Sequence, residues 1–150
     1  MKLKLISLAA TLVVLSALAA AGTASAATGR VIKTGKVSPY GSILQDSRGR
    51  SIYLFTKERS STSRCYGECA KEWPPVLTKG EPRARGGARQ SKLGTTRRRS
   101  GKTQVTYNGH PLYYYVDETR ANQVLCQGVF EFGGLWYVMN ARGHAIKKRG

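Results

Sequence analysis

The chain has 150 residues, with 25 Lys and Arg against 8 Asp and Glu and a formal net charge of +17. That length suits one domain with a modest core. The charge points any electrostatic partner toward the anionic class, and no apolar run after the N-terminal one is long enough to span a bilayer.

Residues 1–26 read as a secretory leader. Lys2 and Lys4 precede an apolar run of Leu, Val, Ile and Ala, and Ala24-Ser25-Ala26 forms a small-residue cleavage site. The alternative, an uncleaved anchor, fits less well because the run is short and small residues follow it at once. A lipid-bearing Cys would follow such a run directly, but the first cysteine is Cys65. The expected mature chain starts near Ala27, secreted or periplasmic and without a lipid. Without Lys2 and Lys4, 23 basic residues face 8 acidic ones, a net of +15.

Residues 27–38 are polar and basic and read as a flexible segment ahead of one β-rich domain, residues 39–147. Residues 41–46 and 51–56 read as strands around a Ser47-Arg48-Gly49-Arg50 turn. In the second strand Ile52 and Leu54 point to one face, Tyr53 and Phe55 to the other, so the strand is expected inside a sheet. Residues 65–71 could form one helical turn, which Pro74-Pro75 must end. Residues 79–92, rich in Gly and Arg, read as a basic surface loop. A meander follows, with strands at 93–98, 103–107 and 111–116 and an Asn108-Gly109 hairpin turn. A further hairpin turns at Gly133-Gly134. The fold class expected is all-β, mostly antiparallel, built from two related hairpin repeats with one short helical turn.

The repeat shows in the sequence itself. Tyr53, Phe55 and Glu58 recur as Tyr113, Tyr115 and Glu118, a Tyr-x-aromatic-x-x-carboxylate pattern in both places. With Cys65-Tyr66-Gly67-Glu68-Cys69-Ala70-Lys71-Glu72-Trp73-Pro74-Pro75, Tyr107-Asn108-Gly109-His110-Pro111-Leu112-Tyr113 and Trp136-Tyr137-Val138, the chain resembles the bacterial "secreted repeat of unknown function" family. That family is also described as predicted lipoproteins with a Tyr-x-(Phe/Trp/Tyr)-x-x-Asp motif. The resemblance covers residues 40–146 and implies an exported envelope protein with no established activity. Some relatives carry a loose association with alkane catabolism. The chain departs from the pattern where Glu58 and Glu118 stand for Asp, where Asp117 comes one place early, and at Cys126, a position the pattern gives to a small or polar residue.

Three groups of side chains are candidates for chemistry. Cys65 and Cys69, four apart, fit a structural disulfide in an oxidising compartment. The alternative is a secreted copper or thiol-redox site that His110, or else His144 or Met139, would complete. Free thiols are the third state. Cys126, flanked by Val124, Leu125 and Val129, reads as buried and inert. The aromatic residues of the repeats fit core packing better than a binding platform. Arg83, Arg85, Arg89, Arg97, Arg98 and Arg99 form a candidate polyanion surface for anionic envelope polymers or a lipid surface, with no specific nucleic acid. No Ser, Cys or His constellation marks a catalytic centre, and no cofactor is expected. Glu58 and Glu118 are the one pair that the repeat could bring together.

Overall fold

The computed structural model describes residues 28–148; the expected leader lies outside them. The chain runs through β1 (Val31–Val37), β2 (Gly41–Asp46), β3 (Tyr53–Phe55), α1 (Glu68–Glu72), β4 (Leu77–Thr78), β5 (Arg83–Ala84), β6 (Leu93–Arg97), β7 (Thr103–Tyr107), β8 (His110–Pro111), β9 (Val129–Glu131) and β10 (Gly134–Val138). The architecture is all-β and mostly antiparallel. Three small sheets have the orders β2-β1-β5, β3-β10-β9 and β4-β7-β6, with β8 added on β7. The β1–β5 pair is parallel.

Several elements depart from the expectation. Residues 31–37, placed in a flexible segment, form β1, which pairs with β2 along its length. Its apolar alternation is broken at Gly35, where a Cβ would lie 1.9 Å from Gln45 Oε1. A strand there depends on glycine and not on a hydrophobic stripe. The loop at 79–92 carries β5 and a 3-10 turn at Gln90–Lys92. The strand expected at 111–116 shortens to β8 and isolated bridges from Tyr113 to Tyr53 and Pro75. The second hairpin turns on Phe132-Gly133, both at positive φ, one residue before the expected Gly-Gly pair. Asn108-Gly109 turns as expected, with φ of 49° and 79° and Tyr107 paired to His110.

The alternation in β3 sorts the core into two layers. Ile52 and Leu54 join Ile32, Leu44, Val105, Leu112 and Met139 on one side. Tyr53 and Phe55 join Ile43, Trp73, Tyr113, Trp136 and Val138 on the other. Burying each aliphatic or Phe side chain contributes about 1.5–3 kcal/mol.

The two halves are interlocked. Tyr53 and Tyr113 exchange both backbone bonds, N–H to O at 2.9 Å and 3.0 Å. From this pair each half lends its last strand to the other. β4, from the first half, pairs with β7, while β10, from the second, pairs with β3. The bonds correspond one for one. Leu44 N–H reaches Met139 O and Ile52 N–H reaches Leu44 O, at 2.8 Å and 3.1 Å. Val105 N–H reaches Val76 O and Leu112 N–H reaches Val105 O, at 2.8 Å and 3.0 Å. Trp73 and Trp136, each three residues before an exchanged contact, stack with centroids 4.0 Å apart and planes 5° from parallel.

Candidate functional site

The motif spacing has a local cause. Glu58 N–H bonds to Phe55 O at 3.1 Å, and Glu118 N–H to Tyr115 O at 3.3 Å. Each aromatic is therefore the first residue of a tight turn that folds its Glu back toward the core. There the side chains cross. Tyr53 donates its hydroxyl to Glu118, and Tyr113 donates to Glu58 Oε1 at 2.6 Å. Each carboxylate oxygen also accepts one backbone N–H, from Arg64 at 2.6 Å and from Leu125 at 2.9 Å.

Both glutamates are buried, at 2% and 1% exposure. Burial pushes each carboxyl up to about 7, although the tyrosine and backbone hydrogen bonds favour the charged form. Burial, and then the neighbouring glutamate, raise both tyrosine hydroxyls well above the usual range. The Oε2 atoms of both glutamates are buried without a partner. Both Tyr–Glu pairs are enclosed in the core, and each joins one half of the chain to the other.

Beside Glu58, Arg98 is turned inward, at 6% exposure. It donates to Gln104 Oε1 at 2.7 Å and to Cys65 O at 2.6 Å, and its guanidinium lies over the Tyr66 ring at 4.4 Å. Ser63 shares Gln104 Oε1 at 2.6 Å. Arg98 therefore leaves the candidate polyanion surface; satisfied buried donors are not offered to a polymer. Arg83, Arg85, Arg89, Arg97 and Arg99 are exposed. Among the described residues the one ion pair is Lys71–Glu68, on the surface of α1.

Cys65 and Cys69 form a disulfide with Cα atoms 5.2 Å apart. Both lie in the second core layer. Among the described residues no three His, Cys, Asp or Glu side chains gather where they could hold a metal ion. The structure does not bring Cys65, Cys69 and His110 into a ligand set, and Met139 is buried in the other layer. His110 is shifted down by burial and by nearby His144. Cys126 is half-buried against the second core layer and not fully enclosed as expected, while Leu125 beside it points to solvent at 55% exposure.

Tyr53, Phe55 and Tyr113 are fully enclosed, and Tyr115 is half-buried against Trp73. Trp73 Nε1 donates to Glu131 Oε2 at 2.9 Å. These rings form a core and present no flat platform. The sequence reading missed a basic cleft lined by Arg30, Lys79 and Lys102. Arg30, Lys79 and Lys102 are far apart in the chain, so spacing gives no sign that they line one cleft.

A family model described as a secreted repeat of unknown function matches the chain twice, over residues 35–77 and 94–140. No curated protein and no solved structure matches it.

Proposed function

The chain belongs to the family of secreted repeats of unknown function, and from that premise we propose that it is a non-enzymatic module of the cell envelope that holds anionic polymers on a basic surface. It is exported through cleavage near Ala27 and carries no lipid. One observation supports this reading above the others. The Tyr–Glu pairs and the cystine are enclosed, while most cations other than Arg98 remain outside and, among the described residues, only Lys71 is ion-paired. Five exposed arginines between Arg83 and Arg99 face no carboxylate within ion-pair distance. Such a surface attracts polyanions without reading their sequence.

The test is a binding isotherm with a purified anionic envelope polymer at low and high salt. Binding should fade as the screening length falls below about 10 Å near 0.1 M salt. An isotherm unchanged by salt would remove the electrostatic reading.

A further inference from the structure

Two surface depressions lie side by side. The larger, about 700 Å³, lies between the start of β1, the turn after β2, β4 and the start of β7. The smaller, about 370 Å³, continues from β4 toward β6. Lys79 and Thr103 line both, so the two depressions adjoin, and together they are called the groove.

Its larger half is cationic. Arg30, Lys79 and Lys102 line it, and among its described lining residues none is acidic or aromatic. Glu81 is the carboxylate of the smaller half. Arg30 is held in place from two sides. Its backbone N–H donates to Thr78 Oγ1 at 2.9 Å, and its Nε donates to Leu77 O at 3.0 Å. Gly29 makes this approach possible, since a Cβ there would lie 1.6 Å from Glu81 O. With Nε committed, the remaining guanidinium donors are the two terminal amino groups, a pair suited to two oxygens of one anion. Thr28, Ser47 and Thr103 add hydroxyls, and Val31 and Leu77 add apolar wall.

These features select among anions. Without an aromatic wall, a nucleic acid loses the base stacking that holds a single strand. Side-by-side donors, separate lysines and hydroxyls suit tetrahedral phosphate oxygens spaced along a flexible chain, and the apolar wall suits the carbons between them. We infer that this groove binds a linear polyol-phosphodiester polymer, Arg30, Lys79 and Lys102 each taking phosphate oxygens. The inference rests on the polyanion reading above and names its site and ligand class.

The experiment compares two double variants that remove equal charge, Lys79→Gln/Lys102→Gln in the groove and Arg83→Gln/Arg97→Gln outside it. The probe is a glycerol-phosphate oligomer, with polygalacturonate as a carboxylate control. All four side chains are exposed, so both variants should melt like the parent. The groove variant should lose about tenfold in affinity and show a shallower salt dependence, while the outer variant loses less than about twofold. Equal losses in both would overturn the groove and leave the polyanion reading standing. Tighter binding of polygalacturonate than of the phosphate oligomer would overturn the phosphodiester assignment. Failure of the parent protein to bind either polymer would overturn the polyanion reading itself.

Discussion

Tyr113 places its hydroxyl 2.6 Å from Glu58 Oε1, joining residues 55 positions apart in the chain. Tyr53 and Glu118 repeat the bond in the opposite direction across 65 positions. Each tyrosine motif is thus completed by the glutamate of the other copy. Each buried carboxylate takes one backbone N–H from its own half and its tyrosine hydroxyl from the other.

Removing one hydroxyl tests this directly. Tyr113→Phe keeps the ring in the core and strips one hydrogen bond from Glu58. It should cost about 1–3 kcal/mol in urea unfolding, because a buried acceptor loses a partner. Tyr53→Phe should cost a similar amount. A parent-like midpoint in both variants would contradict the crossed pairing.

Stability should depend on pH in an unusual direction. The buried carboxyls of Glu58 and Glu118 sit at about 7, above their ordinary 4.5. Between those values the folded state holds more protons than the unfolded chain, so stability falls as pH rises. Their contribution is fully present below about pH 4.5 and is lost as pH climbs through 7. It amounts to about 3 kcal/mol for each carboxyl. Unfolding free energies from pH 4.5 to 8 should show the decline, and Glu58→Gln/Glu118→Gln should flatten it. A rising curve in the parent would refute the assignment.

The stacked indoles carry the second core layer. Trp136 touches Trp73, Phe55 and Tyr113. Trp136→Ala should cost about 3–5 kcal/mol through lost burial and the cavity left behind. That is a large part of a small domain's stability, and the thermal midpoint should drop steeply. A shift of only a degree or two would show that the rings contribute little.

The cystine should contribute less than the aromatic core. Its ring spans few residues, so the chain entropy it removes from the unfolded state is worth about 2 kcal/mol. Cys65→Ser/Cys69→Ser should fold, with a lowered midpoint. Unreduced parent protein should show a mass two hydrogens short, mapping to Cys65–Cys69. A full-mass product with three free thiols would contradict the bond.

Local periodicity was readable where it had a physical cause within reach of a few residues. The alternation at Ile52, Tyr53, Leu54 and Phe55 already divided these residues between the two core layers. Asn108-Gly109 announced its own turn, since both residues tolerate positive φ. The equivalence of Glu58 and Glu118 was visible too, but their partners were not, because spacing says nothing about which copy a tyrosine faces. β1 was missed because it relies on Gly35 passing under Gln45 and not on an apolar stripe. Arg98 was misread because it sits between two exposed arginines at the end of β6, where successive side chains alternate in and out. The exchange of β4 and β10 left no local trace, being set by contacts between distant segments.

That exchange alters what duplication means for this molecule. A repeated unit ordinarily offers redundancy, one copy tolerating damage while the other keeps the shape. Here β10 is the neighbour that β3 requires, and β4 the neighbour that β7 requires. A lesion in either copy is therefore felt in both, and the second copy is no spare.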